Sequence, residues 1–260
     1  MLSMPLLIGI YCKIFHKSKL VMSLHGTDVL RINSNKIYRF CLKIPNAIVT
    51  VGDSNIQTYG LTKTPVKSIG NGVDLNTFTN EHIERNKQFI QVASLRWQKG
   101  QEYLYKAFAK FLSIYNEYKL IMVGVGEDKD TLIDLSEKLG IKNNIEYRGM
   151  LSREEVSKEL NRSMIFILSS ITEGFPKVII EAMATGTPVI STDVGCVKSV
   201  IKDSGVIVQA KNENELFNAM KRLVDDNEYY KICSEKSELY SKDYTWENVE
   251  QKLNSIYFSI

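Results

Sequence analysis

The stretch Met164-Ile-Phe-Ile-Leu-Ser-Ser170-Ile-Thr-Glu173-Gly-Phe-Pro-Lys-Val-Ile-Ile-Glu181-Ala-Met-Ala-Thr-Gly186-Thr-Pro188-Val-Ile-Ser-Thr192 reads as strand, helix, strand. Its two outer runs are short and rich in Ile and Val, as expected of parallel strands buried on both faces. The helix is expected to begin near Gly174 and to stop at Gly186, a glycine suited to the left-handed turn that ends many helices. A strand, a crossover helix and a second parallel strand form the repeating unit of an α/β fold.

The same grammar extends in both directions. Phe89–Ser94, Lys119–Gly124, Asn144–Arg148 and Val206–Gln209 read as further strands, giving six in all with Met164–Ser169 and Pro188–Thr192. Between the first two, Leu104, Ala107, Phe108, Phe111, Leu112 and Tyr115 repeat on one helical stripe. Ser152-Arg-Glu-Glu155 opens another helix with a capping box. Six strands with intervening helices predict a doubly wound α/β domain.

The front of the chain repeats this pattern on a smaller scale. Residues 4–16 read as a buried helix, with a membrane-inserted element as the alternative, followed by strands at Leu20–Leu24, Ala47–Val51 and Val66–Ile69 and a helix around Lys36–Lys43. At the other end, Trp246, Val249, Leu253, Ile256, Tyr257 and Ile260 fall on one stripe of a last helix. Three regions follow: a small Rossmann-like lobe over 1–78, a larger one over 79–240, and a closing helix over 241–260.

Composition narrows the class. The 260 residues are 44% hydrophobic and 24% charged, which is globular and neither fibrous nor disordered. The net charge of +3 is too small to suggest nucleic acid. It is uneven, however: residues 1–80 carry nine Lys/Arg against three Asp/Glu, so the front is the basic part. The four cysteines form no CxxC pair, which argues against a zinc site or a disulfide framework and for a reducing compartment. No apolar run reaches the ~18–20 residues of a membrane span.

Glu173 and Glu181 are the candidate functional pair. Ligands of open α/β sheets sit at the carboxyl ends of strands, where this helix starts and where its first N–H groups are free. Eight residues of helix separate the two carboxylates by about 12 Å, a span comparable with a nucleotide sugar from hexose to ribose. On spacing alone, a helix cap plus one surface Glu remains the alternative.

Glu173-Gly-Phe-Pro-x4-Glu181-Ala-Met-Ala-x-Gly-x-Pro-Val resembles the E-x7-E signature of retaining glycosyltransferases of family 4 (group 1), which have the two-lobed GT-B fold. His25-Gly-Thr-Asp28, Asn71-Gly-Val-Asp74, Val92-Ala-Ser-Leu-Arg-Trp-Gln-Lys99-Gly100 and Tyr147-Arg-Gly-Met-Leu151 resemble further motifs of that family, in its order. The resemblance implies that Glu173 holds hydroxyls of a donor sugar, that Glu181 binds a ribose, and that the N–H groups of Gly174 and Phe175, ahead of Pro176, face the sugar. It implies Lys99 as the cation on a diphosphate, Met150 and Leu151 as the lining of a base pocket, and His25 as a catalytic residue from the opposite lobe. The family's usual phosphate-binding Arg is Ser94 here, and Arg96 is the candidate substitute. No metal or other cofactor is expected.

Implied, then, is transfer from a nucleoside-diphosphate sugar, with UDP favoured, to a glycan or lipid-linked acceptor in cell-surface polysaccharide synthesis. The basic front suggests a cytoplasmic protein in peripheral contact with the inner face of a membrane, and no nucleic-acid partner. A catalytically silent nucleotide-sugar-binding subunit and a sugar-nucleotide epimerase on the same fold are the rivals. Only 78 residues precede the larger lobe, so the resemblance also implies an N-terminal lobe lacking its first part. Asp128-Lys-Asp130 reads as acid favoured at a helix start, Gly124-Val-Gly126 as a tight turn, and His16 and His82 as residues without ligand-spaced partners. Lys177 opposes the dipole of its helix, which a nearby phosphate would explain.

Overall fold

The computed structural model describes residues 4–24, 36–52 and 63–260. The chain divides into two compact units, Met1–Gly72 with Trp246–Ile260, and Val73–Thr245. The larger unit starts ahead of position 79 because Phe78 is fully buried in its core and Val73 N–H donates to the Tyr244 carbonyl at 2.7 Å. It also ends later than position 240, since Val73 pairs in parallel with Thr245.

The larger unit is built on a six-stranded, wholly parallel sheet. Its strands are β4 (Asn86–Val92), β5 (Lys119–Val123), β6 (Ile145–Gly149), β7 (Ser163–Leu168), β8 (Val189–Thr192) and β9 (Gly205–Val208), in the order β6-β5-β4-β7-β8-β9. Five of the six lie within one residue of the runs read from sequence, and β4 begins three residues earlier than its run, at Asn86. Side chains alternate across a strand, so Phe89 enters one core with Phe108, Phe111, Leu120 and Met220, while Ile90 enters the other with Phe166, Ile179 and Ile180. The chain winds outward from β4 to β6 and then returns to β4's other side with β7. The winding direction therefore reverses between β4 and β7.

Arg85 anchors the amino end of β4. Its guanidinium donates to the carbonyls of Leu160, Asn161, Ser163 and Thr185 and to Thr187 Oγ1, at 2.6–3.1 Å. Leu160 and Asn161 lie in the last turn of the Arg153–Arg162 helix, and Thr185 follows the Lys177–Ala184 helix. One cation thus satisfies carbonyls left open at two helix C-termini, where the dipole also favours positive charge.

In the smaller unit, β1 (Val21–Leu24), β2 (Ala47–Thr50) and β3 (Val66–Ser68) form a parallel three-stranded sheet in that order. The closing helix Trp246–Tyr257 adds Ile256 to a small core with Ala47, Val49 and Ile69. Gly72 is required there: a Cβ would lie 2.4 Å from the Trp246 indole.

The first helix forms over Met4–His16, but it is not buried as the sequence suggests. Ile8, Tyr11, Ile14 and Phe15 are 54–68% exposed. The two cores of this unit are small, and none of the described side chains of this helix belongs to either.

Candidate active site

The carboxyl ends of β4 and β7 flank the point where the winding reverses, and crevices of open α/β sheets lie at such points. After β4 the chain makes a single 3-10 turn over Trp97–Lys99, closed by Gly100 in the left-handed region at φ 64°. A Cβ at Gly100 would lie 2.0 Å from the Ser169 carbonyl oxygen. Only glycine satisfies both the backbone angle and the close approach. Two further bonds tie the loops together: Ser169 Oγ donates to the Lys99 carbonyl at 2.8 Å, and Ile171 N–H donates to the Gln98 carbonyl at 2.8 Å.

This stitching sets Lys99 Nζ 2.6 Å from Glu173 Oε1, with the two side chains 26% and 13% exposed. Ser170 Oγ donates to the same oxygen at 2.7 Å. Behind them, the fully buried Gln91 donates through Nε2 to Ser169 Oγ at 2.9 Å, and its Oε1 has no partner. Thr192 Oγ1 donates to the Ser170 carbonyl at 2.6 Å. The sequence reading missed Gln91, Ser169 and Ser170. A glutamine inside the run Phe89-Ile-Gln-Val was the available signal, because a polar side chain in a central strand needs a partner.

The Glu173–Glu181 interval is not one helix. The helix spans Lys177–Ala184 with Pro176 as its extended N-cap, so Glu173, Gly174 and Phe175 precede it. Gly174 turns its carbonyl to Cys196 N–H and Sγ, each at 3.4 Å, while Phe175 packs into the core with its ring 6.1 Å from that of Tyr244. The axial estimate of 12 Å therefore does not apply, and the N–H groups of Gly174 and Phe175 are not those of a first helical turn. Gly195 makes this loop possible: a Cβ there would lie 2.4 Å from the Gly174 oxygen. The helix does end as expected, with Gly186 at φ 65° and its N–H donating to the Met183 carbonyl at 2.9 Å.

Glu181 is half-buried, and burial pushes its carboxyl pKa up against the opposing pull of Arg153 and Lys177. Arg153, which the sequence did not single out, lies 5.4 Å over the Phe78 ring and also acts on Asp74. Asp74 itself closes a turn, accepting from Asn76 N–H at 3.0 Å and from Thr77 Oγ1 at 2.8 Å, and these bonds hold its pKa down.

The other candidates are more dispersed. Arg96 pairs with Glu127 at 3.7 Å, both exposed. Met150 is 78% exposed, while Leu151 packs against the core that holds Ile179 and Ile180. Their loop leaves β6 beside Gly124, whose N–H donates to the Gly149 carbonyl at 2.7 Å. Gly124 and Gly126 do form a tight turn, each with a prospective Cβ 2.1 Å from a carbonyl oxygen of the loop after β4. Asp128 opens its helix without capping it; its Oδ2 instead accepts Trp97 N–H at 2.6 Å, fixing the loop that carries Lys99. His25 lies outside the described residues. Among the described residues no cluster of three or more His, Cys, Asp or Glu is grouped to hold a metal ion.

With a cation and a carboxylate facing each other at the switch point, the site has the groups to meet both an anionic and a hydroxylated part of a ligand. The family model for glycosyl transferases group 1 matches residues 74–239. An uncharacterized glycosyltransferase of Methanocaldococcus jannaschii is 30% identical over 210 residues, covering 74% of this chain and 53% of its own length. The N-acetyl-alpha-D-glucosaminyl L-malate synthase of Bacillus anthracis is 26% identical over 262 residues, covering 93% of this chain and 68% of its own length. This chain thus spans about half the length of the first relative. Among solved structures, Anabaena HepE in complex with UDP and glucose superposes with a TM-score of 0.84 at 18% identity, covering 98% of this chain and 75% of that one. A family match over the whole doubly wound sheet, together with that likeness of fold, makes this chain a member of the group 1 glycosyl transferases, built on the GT-B fold.

Proposed function

We propose that the protein is a retaining glycosyltransferase that moves a sugar from a UDP-sugar to a glycan or lipid-linked acceptor. The observation that carries this reading is the Lys99–Glu173 pair, 2.6 Å apart at the β4/β7 switch point. Lys99 takes the diphosphate, where negative charge grows as the bond from the anomeric carbon to the phosphate oxygen breaks. Glu173 accepts hydrogen bonds from sugar hydroxyls beside that carbon, and Glu181 accepts from the ribose. Met150 and Leu151 border the base. The acceptor oxygen bonds to the anomeric carbon on the face the phosphate leaves, and its proton passes to a departing phosphate oxygen. Retention at an α-linked donor gives an α-linked product, such as the alpha-D-glucosaminyl product in the name of the Bacillus anthracis relative.

Lys99 supplies the charge that a divalent metal would otherwise bring to the diphosphate. The reaction belongs to cell-surface polysaccharide synthesis in the cytoplasm, at the inner face of the membrane. Two features support that placement: the excess of Lys and Arg over residues 1–80, and the exposed Ile8, Tyr11, Ile14 and Phe15 of the first helix. None of the described helices is long and apolar enough to cross a membrane.

Calorimetric titration with UDP, GDP and ADP in EDTA tests the donor site. Binding of UDP that persists under chelation is expected, and binding lost on chelation overturns the metal-free reading. NMR of the anomeric centre after incubation with UDP-sugars and an acceptor tests retention, and an inverted product contradicts it. A donor that binds without transfer to any acceptor points to the silent subunit instead.

A further inference from the structure

A cavity of about 460 Å³ opens on the face of the large sheet that carries the Gln101–Leu112 and Lys129–Lys138 helices. Neither Lys99, Glu173 nor Glu181 lines it, so it is separate from the candidate active site. Its volume falls in the range of small-molecule sites.

Three features define what it suits. First, the Trp97 indole stands at the cavity 64% exposed. Its backbone is fixed on both sides: Trp97 N–H donates to Asp128 Oδ2 at 2.6 Å, and the Trp97 carbonyl accepts from Gly100 N–H at 3.0 Å. These two backbone bonds fix the point from which the indole projects. Second, Leu132 and Leu135 continue the apolar wall. Third, the polar lining carries both signs, with Glu102, Asp128 and Asp134 against Lys138 and Lys211. Such a mixture favours neither an isolated phosphate nor a bare cation. A pyranose ring has the matching character, with an apolar C–H face for stacking and a rim of hydroxyls that both donate and accept.

The cavity is wired to the active-site loops. Ile171, which lines it, donates its N–H to Gln98 and lies two residues before Glu173; Trp97 lies two residues before Lys99. We propose that this cavity is a glycan subsite, holding one sugar unit of an oligosaccharide against Trp97 beside the donor-binding loops. Its role as an acceptor or product anchor rests on the glycosyltransferase reading above; its binding of a sugar ring does not.

The test uses the full chain, with maltotriose and chitotriose as neutral probes followed by saturation-transfer NMR. Saturation of ring protons is expected with at least one probe, and Trp97→Ala should weaken binding about tenfold, the worth of one aromatic face. Trp97→Phe should recover part of it. UDP affinity, measured by calorimetry, should stay within about twofold in both variants, which also shows that they fold. Absence of saturation with both probes, or equal binding by wild type and Trp97→Ala, overturns the proposal. Oligosaccharide binding that depends on Trp97 in a protein that binds no UDP upholds the subsite and sinks the donor reading.

Discussion

Lys99 Nζ and Glu173 Oε1 stand 2.6 Å apart although they come from loops after different strands, and the Ser170 hydroxyl donates to the same carboxylate oxygen. The cation proposed for the diphosphate is therefore neutralised by the carboxylate proposed for the sugar. On the proposed donor reading, binding exchanges this contact for two others. A diphosphate draws on the lysine while hydroxyl donors compensate the glutamate, so a complete nucleotide sugar satisfies both groups and a nucleotide alone satisfies one.

That exchange separates two variants. Glu173→Gln leaves Lys99 without its carboxylate, so UDP affinity is expected to hold or to rise severalfold. Turnover is expected to fall about 10²–10³-fold, as for loss of a group that acts mainly in the transition state. Lys99→Met should lower both UDP affinity and kcat. Calorimetry with UDP alongside initial rates reads the split, and equal small losses in both variants return these residues to a structural role.

Glu181 gives a pH-dependent prediction. Burial raises its pKa in the folded protein, so the native state holds its proton at pH values where the unfolded chain has released it. That contribution to stability is present below the ordinary carboxylate pKa of about 4.3 and is lost as pH rises through the raised value. Glu181→Gln cannot ionise and escapes the loss. Its Tm should exceed that of wild type at neutral pH by on the order of a few degrees, with the gap closing below pH 4. Donor KM should rise in the same variant, because an amide is a weaker acceptor for ribose hydroxyls than a carboxylate. Thermal unfolding across pH checks the first part; a gap that widens in acid contradicts it.

How far the sequence foretold this arrangement depends on the range of the contacts involved. Strands, the capping box at Ser152, the left-handed end at Gly186 and the stripe from Leu104 to Phe111 all follow from neighbours within a few residues, and all stand. The start of the key helix did not follow, because Gly174 spends its carbonyl on Cys196, a partner from the next loop. Asp128 and Asp130 do stand at a helix start, as read, but the bond that Asp128 Oδ2 accepts from Trp97 N–H did not follow, because Trp97 belongs to another loop. The exposure of Phe15 was illegible for a related reason: an apolar period reveals that a face is greasy, not that anything covers it.

Arg85 had no local signature at all, yet its five hydrogen bonds join the start of β4 to the ends of two helices. Arg85→Met keeps most of the side-chain length and removes every donor. Four carbonyls and a hydroxyl then lose a charged partner in a largely water-free place, at about 1–3 kcal/mol for each buried group left unsatisfied. Some will be reached by water, so a net loss of about 3–5 kcal/mol is expected, a large part of the stability of an ordinary domain. Urea unfolding measures it. A loss below about 1 kcal/mol would mean that the carbonyls find other partners without cost.

The exposed face of Met4–His16 makes the membrane placement testable. Ile8, Tyr11, Ile14 and Phe15 present apolar surface, and Lys17 and Lys19 follow directly with ammonium groups suited to anionic headgroups. Vesicles of phosphatidylglycerol should sediment the protein, while neutral phosphatidylcholine vesicles should do so weakly. Raising the salt should release part of the bound fraction, since exposed charges are screened over about 10 Å at 0.1 M. Replacing both Ile14 and Phe15 with Ser removes apolar area worth about 1.5–3 kcal/mol for each side chain if fully buried. Partial burial at an interface still predicts at least about tenfold weaker binding. Both positions are more than 60% exposed, so the doubly substituted protein should keep its wild-type Tm. Equal sedimentation of wild type and variant, or no preference for anionic lipid, would assign this face to a protein contact instead.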